Sequence, residues 1–359
     1  MTVIRIEMLP ASYGDAIWLS WGEDKKKLKH ALIDTGFEPC AQIIRQRLHD
    51  DPKLVLELFV LTHIDADHIE GSVFLLQDEN VITPKRVREI WFNGWEHINA
   101  LADDAQGALQ GEYFSALIRK RKIAWNKKFK GKAVCVPDKG KLPTHKLAGG
   151  MKLTLLSPGK AQLNKLHSYW TKDLKKKLKP GDEKKALKLL DHDAKYALDS
   201  MGSRINVSKL VKGKFTEDKA PANGSSIAFL AEYGDRKLLF TGDAYPSVLA
   251  ASLGRLIEEG DTLALDVLKL AHHGSAHNTG PELLDLVRCE HALVSSDGKK
   301  FSHPDASAIA RVIHSSPGVQ VHFNYQSEFT KPWLSSKVMK AHGYTAAVGD
   351  EGSLVLELD

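Results

Sequence analysis

The sequence predicts a single α/β domain over residues 1–359, and three observations support this. Hydrophobic residues make up 43% of the chain and charged residues 26%, a composition that can bury a large core and is typical of soluble globular proteins. Strand-like and helix-like segments alternate through both halves of the chain. Each half also contains an apolar strand that ends in a group of metal-capable histidine and aspartate side chains.

The first half begins with three predicted strands, over residues 3–8, 16–21 and 31–34. A charged hairpin turn joins the second to the third, and the third ends in the tight turn Asp34-Thr-Gly36. Helical spacing follows over 41–48. An apolar strand over 55–61 then leads directly into Thr62-His63-Ile-Asp65-Ala-Asp67-His68, and a second helix is expected to begin near Ile69.

The second half repeats this organisation. Strands are predicted over 226–231 and 237–240, and the latter leads into Thr241-Gly-Asp243. Another strand lies within 261–271 and ends at His272-His273-Gly274. Between the halves, residues 160–222 are rich in lysine and have apolar residues at helical intervals, with a break at Pro180-Gly181. We interpret this segment as a helical insertion within the domain.

Two stretches carry most of the positive charge. Residues 119–132 contain eight basic residues and no acidic residue, and residues 172–188 contain eight lysines and three acidic residues. Such stretches attract phosphate backbones, and interleaved aromatic rings can stack on bases. The first stretch supplies six candidate nucleic-acid contacts: Arg121, Lys122, Trp125, Lys127, Lys128 and Lys130. The alternative is a solvated surface whose aromatic side chains face the core.

The segment His63-x-Asp65-x-Asp67-His68 places four potential metal ligands within six residues. Side chains alternate along an extended segment, so His63, Asp65 and Asp67 are expected on one side, with His68 at the following turn. Imidazole suits zinc, manganese and iron, and each added carboxylate shifts the preference toward harder cations. A divalent cation would neutralise the crowded carboxylates.

This segment resembles the His-x-His-x-Asp-His motif of the metallo-β-lactamase fold, with Asp65 at the middle histidine. That variant is similar to the ComEC-like branch, named for the nuclease domain of the competence DNA-uptake channel. The resemblance covers about 290 residues and includes five further motifs: Gly14-Asp15-Ala, Leu32-Ile-Asp34-Thr-Gly36, Leu238-Leu-Phe-Thr-Gly-Asp243, Val267-Leu-Lys-Leu-Ala-His272-His273-Gly274-Ser275 and Ser302-His303-Pro304. It implies an αββα sandwich, with two mixed sheets between helices and two metal ions at the strand ends.

The resemblance also implies residue roles. His63 and Asp65 resemble ligands of a first metal, and Asp67 and His68 resemble ligands of a second. Asp243 takes the place of the carboxylate that bridges both ions. Either His272 or His273 resembles the last ligand of the second site, and the sequence leaves that choice open. Three further roles are implied: Asp15 and Asp34 orient ligands, and His303 contacts a substrate phosphate or donates a proton to the leaving group.

The sequence departs from the family pattern at one ligand. Most hydrolases of this fold have a further histidine between the first cluster and the bridging aspartate. The corresponding stretch here, Asn223-Gly-Ser225-Ser226, contains no histidine, and the ComEC-like branch usually has Asn-Ser where Ser225 and Ser226 stand. We expect Ser225 and Ser226 to lie beside the metal ligands. His97 is a candidate replacement for the missing imidazole.

These features favour a metal-dependent phosphodiesterase or nuclease that uses two divalent ions, manganese or zinc before magnesium, on DNA or RNA. Bound metal lowers the pKa of water toward about 7, which supplies hydroxide at neutral pH. One alternative is hydrolysis of a small phosphoester or a cyclic nucleotide. Another is a non-catalytic, metal-poor partner or sensor protein. Acyl hydrolysis is disfavoured because of Asp65, and a regulatory protein partner is conceivable for a stand-alone nuclease.

Location follows from what the sequence lacks. The longest apolar stretch, residues 54–61, contains Glu57 and is far shorter than the ~20 residues that span a bilayer. The N-terminus has no basic leader before an apolar core, so we expect a cytoplasmic protein without membrane contact. Cys40, Cys135 and Cys289 form no Cys-x-x-Cys pair, which argues against disulfides and thiolate zinc sites.

Overall fold

The computed structural model describes residues 2–100, 109–173, 181–190, 210–211 and 214–358. Part of the predicted insertion at 160–222 therefore lies outside the described residues. Within the described part, helices occupy Lys160–Asp173 and Glu183–Leu190, on the two sides of residues 174–180. The three cysteines are free thiols. Among the described residues, no helix has both the length and the apolar character needed to cross a membrane.

Six strands form the first sheet: β1 (Val3–Met8), β2 (Ile17–Gly22), β3 (Lys29–Ile33), β4 (Leu56–Val60), β5 (Ile90–Trp91) and β14 (Leu354–Leu358). Their order across the sheet is β14-β1-β2-β3-β4-β5. Strands β14, β1, β2 and β3 pair antiparallel, whereas β3, β4 and β5 pair parallel. The parallel strands place their carboxyl ends at one edge of the sheet.

Eight strands form the second sheet: β6 (Thr144–Lys146), β7 (Lys152–Ser157), β8 (Ala228–Tyr233), β9 (Arg236–Phe240), β10 (Leu263–Lys269), β11 (Val287–Val294), β12 (Gln320–Phe323) and β13 (Thr345–Val348). Their order runs from β13 to β6 without interruption. Strands β9 to β13 pair parallel, and β6 to β9 pair antiparallel. Both sheets are therefore mixed.

Helices connect the strands and cover the sheets: α1 (Glu38–Asp50), α2 (Ala66–Gln77), α3 (Trp95–Asn99), α4 (Leu109–Lys120), α5 (Lys160–Asp173), α6 (Glu183–Leu190), α7 (Pro221–Gly224), α8 (Pro246–Leu253), α9 (Pro281–Leu284), α10 (Ala306–Ser315) and α11 (Ser336–His342). Buried residues of α1 recur at helical spacing, from Cys40 through Ile44 to Leu48. This apolar stripe faces the first sheet.

The two sheets pack face to face between layers of helices. Because side chains alternate along a strand, Ile17 and Leu19 of β2 face a core shared with Leu153 of β7. Trp18, between them, faces a second core with Ile44 of α1. Helices α8 and α10 contribute buried residues to the core of the second sheet. The predicted αββα sandwich is confirmed.

Glu112 of α4 connects the core to the predicted insertion. Its buried carboxylate accepts hydrogen bonds from Trp170 Nε1 at 3.3 Å and from the Gly181 backbone N–H at 2.9 Å. Burial raises the pKa of Glu112 to about 7, and the charge of Asp182 adds to this, whereas the two hydrogen bonds act in the opposite direction. The site therefore disfavours the charged form of the carboxyl group.

We expect the Glu112→Gln variant to be more stable, relative to the wild type, at pH 8 than at pH 5. A carboxyl group whose pKa rises on folding binds protons as the chain folds, so the free energy of unfolding falls as the pH rises from about 4.5 to about 7. Glutamine removes this dependence. From pH 5 to pH 8, the free energy of unfolding of the variant minus that of the wild type should therefore rise by about 2 kcal/mol.

Urea unfolding of both proteins at the two pH values measures this shift. At pH 5 both oxygens of the protonated Glu112 carboxyl group can still accept hydrogen bonds, whereas glutamine accepts with one atom only, so the variant should be slightly less stable than the wild type at this pH. Glu258→Gln, at an exposed glutamate, is the matched control and should give the same difference at both pH values. A pH-independent difference for Glu112→Gln would contradict the assignment.

Candidate metal centre

The candidate metal centre lies where strands of both sheets end. His63 follows β4 by three residues, Asp243 follows β9 by three, and His272 follows β10 by three. β4 belongs to the first sheet, and β9 and β10 belong to the second. The carboxyl ends of the neighbouring parallel strands β9 and β10 meet at one edge of the second sheet. The face-to-face packing of the two sheets brings the end of β4 beside them, so residues as far apart in the sequence as His63 and His272 come together. The sequence correctly predicted that strands end shortly before His63 and before His272.

Asp67 and His68 lie in the first turn of a helix and not on an extended segment. α2 begins at Ala66, three residues before the predicted start at Ile69. The backbone N–H groups of His68 and Ile69 both donate to the carbonyl oxygen of Asp65, at 3.0 Å, which closes the first turn early. The prediction that strand alternation places Asp67 beside His63 and Asp65 is therefore wrong. The helix turn brings Asp67 to the site instead.

The carboxylate of Asp243 is the centre of the cluster. It is 2% exposed, and its Oδ1 has no hydrogen-bond partner among the described residues. Four imidazole Nε2 atoms face it: those of His68 at 3.6 Å from Oδ1, and of His63 at 3.8 Å, His272 at 3.8 Å and His273 at 3.9 Å from Oδ2. Donor atoms that share one tetrahedral metal lie about 3.3–3.6 Å from one another. The spacing is close to that of ligands around a cation.

His68 and His273 point their Nε2 atoms at each other, 3.3 Å apart. On the far side of each ring, Nδ1 contacts a group that can only accept: Asp34 Oδ2 at 2.7 Å for His68, and the Ser295 carbonyl oxygen at 3.0 Å for His273. Each Nδ1 therefore carries the proton, and two Nε2 lone pairs face each other in the neutral rings. Such a pair repels unless a proton or a metal ion lies between the two nitrogens.

His63 and His272 are oriented in the same way. His63 Nδ1 lies 3.1 Å from Thr62 Oγ1 and 3.2 Å from Ser226 Oγ. Because Thr62 Oγ1 donates its own hydrogen to Asp34, it accepts from His63 Nδ1. His272 Nδ1 lies 3.0 Å from Asn278 Oδ1, an acceptor. Both rings thus present an Nε2 lone pair toward Asp243, and His63 Nε2 has no hydrogen-bond partner among the described residues.

Electrostatics make this cluster a strong site for positive charge. Burial opposes the charged form of Asp243, yet His272, His68 and His273 hold its pKa well below its ordinary range. Burial lowers the pKa of His273, but Asp15 and Asp243 outweigh burial and raise the pKa to about 9. The carboxylates thus favour a cation, whether a proton or a metal ion, between the ligands.

The donors divide into two groups that share Asp243. His63 Nε2 lies 3.5 Å from Asp65 Oδ2 and 3.8 Å from Asp243 Oδ2, an oxygen that His272 Nε2 also faces at 3.8 Å. His273 Nε2 lies 3.4 Å from Asp67 Oδ2 and 3.3 Å from His68 Nε2. His63, His68 and Asp243 offer ligand atoms that all lie within 4.8 Å of one another. The donor types and spacing fit two divalent ions.

Asp15 also lies near His68 and His273, and the three offer ligand atoms that all lie within 4.8 Å of one another. Its Oδ1 is 3.6 Å from His273 Nδ1, on the side of the ring away from Asp243. Its Oδ2 accepts a 2.7 Å hydrogen bond from Lys269 Nζ, and both side chains are almost fully buried. Asp34 has a similar place, since its Oδ2 accepts from His68 Nδ1. Asp15 and Asp34 therefore each contact a candidate ligand, His273 and His68 respectively.

Three polar residues that sequence reasoning missed hold His272. Asp218 Oδ2 accepts hydrogen bonds from Asn223 Nδ2 at 2.6 Å and Asn278 Nδ2 at 3.1 Å. Asn223 Nδ2 lies 3.3 Å and Asn278 Oδ1 3.0 Å from His272 Nδ1. His272 itself has the left-handed backbone conformation, at φ 48°, which is strained for a non-glycine residue. Only Asn223 could have been found from the sequence, because it occupies the stretch of the missing histidine.

Ser226 and Ser225 differ in their contacts. Ser226 Oγ lies 3.2 Å from His63 Nδ1 and accepts a hydrogen bond from the Asp243 backbone N–H at 3.1 Å. Ser225 Oγ donates to the Ala222 carbonyl oxygen in its own turn. The ring of His97, the predicted substitute ligand, lies edge-on against the Trp125 ring, with 4.4 Å between ring centres. His97 Nε2 lies 3.6 Å from Glu96 Oε1. The structure does not bring Ser225 or His97 to the candidate ligands.

His303 lies at the rim of the centre. Its ring is 5.4 Å from that of His272, and its Nδ1 is 3.5 Å from Asp305 Oδ2. Burial lowers its pKa to about 3, and the nearby His272 and His273 add to this. A neutral imidazole at this position can donate a hydrogen bond from one nitrogen and accept with the other.

The predicted nucleic-acid contacts divide into engaged and exposed side chains. Arg121 donates to the carbonyl oxygens of Leu76 and Gln77. Trp125 donates to the Phe92 carbonyl oxygen and stacks on the Phe92 ring at 6.1 Å. Both side chains therefore support the fold. Four lysines remain exposed to solvent: Lys122, Lys127, Lys128 and Lys130.

The sequence matches no protein-family model, and a search of curated proteins gave no match. Several solved structures are similar. CmlA, a diiron β-hydroxylase from Streptomyces venezuelae, is 11% identical with a TM-score of 0.42; the match covers 99% of this chain but 54% of CmlA, so this chain spans about half its length.

Two other solved structures cover most of both chains. A metal-dependent hydrolase from Parabacteroides distasonis is 10% identical with a TM-score of 0.35, over 93% of this chain and 94% of that one. Zn²⁺-bound PqqB from Methylobacterium extorquens is 12% identical with a TM-score of 0.37, over 95% and 86%. At these identities and TM-scores, the likeness gives no information about activity.

Proposed function

We propose that this chain is a metal-dependent phosphodiesterase of the ComEC-like type that cleaves DNA or RNA. The observation that carries the proposal is the pair of facing Nε2 lone pairs of His68 and His273, 3.3 Å apart beside Asp67 and Asp243. This arrangement calls for a cation. Three carboxylates in the donor set favour oxygen-binding divalent ions, which suit phosphate oxygens better than a lactam carbonyl.

The residues have distinct roles in this proposal. His63, Asp65 and His272 would hold a first ion, and Asp67, His68 and His273 a second, with Asp243 shared. When bound, two such ions supply an activated water and stabilise charge on the phosphate oxygens. Asp34 fixes the tautomer and ring orientation of His68 through the 2.7 Å hydrogen bond to Nδ1. His303, at the rim, would hydrogen-bond a phosphate oxygen or the leaving group.

His272 bears on the alternative of a non-catalytic protein. That alternative rests on the missing intermediate histidine, which leaves the first ion with too few ligands. His272 Nε2 lies 3.8 Å from Asp243 Oδ2, the oxygen that His63 Nε2 also faces at 3.8 Å. An imidazole from the end of β10 can therefore take the place of the missing one. With His272 included, the first ion would have the donors His63, Asp65, His272 and Asp243, so the missing histidine does not leave this site short of ligands.

Incubation of the purified protein with single- and double-stranded DNA and RNA, in the presence of Mn²⁺, Mg²⁺ or Zn²⁺, tests the proposal. Cleavage should require a metal and be abolished in the Asp67→Ala, His68→Ala double variant. Ser225→Ala, whose hydroxyl bonds only within its own turn among the described residues, is the matched control and should cleave normally. Turnover of small diesters without cleavage of polymers would favour the small-substrate alternative. Failure to bind any of the three metals would favour the alternative of a non-catalytic partner or sensor protein.

The exposed lysines predict the salt dependence of binding. The Lys127→Ala, Lys128→Ala, Lys130→Ala variant should lower the slope of log binding constant against log salt by about 0.7–0.9 for each phosphate that these lysines neutralise. Fluorescence anisotropy of a labelled oligonucleotide across a salt series measures the slope. A matched triple variant at Lys331, Lys337 and Lys340, exposed at the opposite edge of the second sheet, should leave it unchanged. If the wild type and the Lys127→Ala, Lys128→Ala, Lys130→Ala variant have equal slopes, these three lysines do not contact the nucleic acid.

A further inference from the structure

Tyr13, Lys300 and Phe301 form an exposed cluster that the metal chemistry does not use. The Phe301 side chain is 44% exposed, one of few large apolar side chains so placed among the described residues. Its ring lies 5.6 Å from the Tyr13 ring in an edge-on arrangement. Lys300 Nζ lies 4.9 Å from the centre of the Tyr13 ring and 5.1 Å from that of Phe301. We call these three residues the aromatic platform.

The aromatic platform borders the metal centre on two sides. The Phe301 ring is 6.2 Å from that of His303, which in turn is 5.4 Å from that of His272. Tyr13 precedes Gly14, where an added Cβ would lie only 2.0 Å from the carbonyl oxygen of Asp67. Both loops that carry the platform therefore continue directly into the surroundings of the candidate ligands.

Hydrogen bonds join these two loops. The Asp297 backbone N–H donates to the Ser12 carbonyl oxygen at 3.0 Å, and Ser295 Oγ donates to the Gly14 carbonyl oxygen at 2.8 Å. The Tyr13 ring is also supported from behind by Phe37, at 4.7 Å between ring centres. The platform is consequently a fixed feature of the rim and not a chance meeting of two independent loops.

The charge of Lys300 is available for a ligand. The ammonium group has no carboxylate within ion-pair distance among the described residues, and it donates a hydrogen bond to Tyr13 Oη at 3.4 Å. A cation above two aromatic rings, next to a site for phosphate, matches one chemical unit: a planar base with its own phosphate. Core packing does not explain the cluster, because Phe301 and Lys300 both face solvent.

We propose that the aromatic platform binds the nucleotide unit adjacent to the cleaved phosphate. The base stacks on Phe301 or Tyr13, and Lys300 pairs with the neighbouring phosphate. This assignment rests on the proposed phosphodiesterase function and makes its substrate a polynucleotide with bases, as opposed to a bare phosphodiester. The ligand binds noncovalently, so no bond is made or broken at the platform.

Binding of two matched oligomers tests the platform: a labelled single-stranded oligonucleotide, and an abasic oligomer of the same length and charge. The Asp67→Ala, His68→Ala background prevents cleavage during anisotropy measurements. In that background, Phe301→Ala should weaken binding of the oligonucleotide about tenfold or more and leave the abasic oligomer unaffected. Phe301→Trp should retain binding. Lys300→Ala should weaken the binding of both oligomers.

Leu256→Ala, at another exposed apolar side chain, and Lys340→Ala are the matched controls and should change neither affinity. If Phe301→Ala binds both oligomers as its parent does while the wild type cleaves DNA or RNA, the platform assignment is wrong and the phosphodiesterase stands. If binding depends on Phe301 but the wild type cleaves nothing, the platform stands as a nucleotide-binding surface, and both the phosphodiesterase and the place of the platform beside a cleaved phosphate are wrong. Absence of binding to either oligomer would overturn the platform assignment, and cleavage by the wild type would still decide the phosphodiesterase.

Discussion

Replacement of Asp243 by asparagine is expected to lower bound metal from two equivalents to at most one and to reduce turnover by at least about 10³-fold. Among the described residues, Asp243 is the one carboxylate that all four imidazole Nε2 atoms face, at 3.6 to 3.9 Å. Asparagine keeps the size and the oxygen of the side chain but removes the charge. It therefore separates metal affinity from packing.

Metal analysis of the dialysed protein, together with the cleavage assay, measures both effects. Asp266→Asn is the matched control: Asp266 lies on β10, accepts from Arg236 and from the Lys237 backbone, and contacts none of the candidate ligands among the described residues. It should retain two equivalents and full activity. Two equivalents of metal in Asp243→Asn would show that Asp243 is not shared by the ions, whatever the activity.

His272→Ala separates the two donor groups. If His272 belongs to the first ion, its loss should remove one equivalent of metal and leave the second ion, which His68, Asp67 and His273 hold. A substrate-contacting His272 would instead leave metal content at two equivalents and raise KM. The metal content of His272→Ala therefore distinguishes a ligand of the first ion from a residue that contacts substrate.

The sequence predicted the strand ends but not the local geometry of the ligands. Strand periodicity placed His63, Asp243, His272 and His273 after apolar strands, since a run of apolar residues indicates a buried strand. It misplaced the start of α2, because the first turn is fixed by backbone hydrogen bonds to Asp65, which side-chain patterns do not report. The roles expected for Asp67 and His68 do not depend on this error, because the resemblance implied them independently.

The choice between His272 and His273 depends on contacts that are distant in the sequence. His273 is turned toward Asp67 by the Ser295 carbonyl oxygen, and His272 toward Asp243 by Asn278. Neither partner lies in a motif that indicates metal binding. A contact that is distant in the sequence also decides the role of Trp125. Its position among lysines predicts a stacking surface for bases, but its ring packs on Phe92. The exposed aromatic residue near the site is Phe301, which has one lysine beside it in three dimensions.

Lys269→Met is expected to destabilise the protein by about 3–5 kcal/mol. Lys269 is 1% exposed and Asp15 is 2% exposed, and Nζ lies 2.7 Å from Asp15 Oδ2 and 3.0 Å from the Leu270 carbonyl oxygen. The ion pair lies behind His273, with Asp15 Oδ1 3.6 Å from His273 Nδ1. Methionine fills a similar volume but leaves the Asp15 charge unpaired in a buried site, and urea unfolding measures the loss.

A double-mutant cycle distinguishes an unpaired charge from a packing defect. Asp15→Asn alone should also be strongly destabilising, since it leaves Lys269 unpaired, whereas Asp15→Asn with Lys269→Met should recover most of the stability. The Arg236–Asp266 pair, at 2.8 Å on the same sheet but partly exposed, is the matched cycle and should show a coupling of no more than about 1 kcal/mol. Additive losses at Asp15 and Lys269 would mean that the pair fills space without electrostatic coupling. In that case Lys269 could not be credited with holding Asp15 in place behind His273.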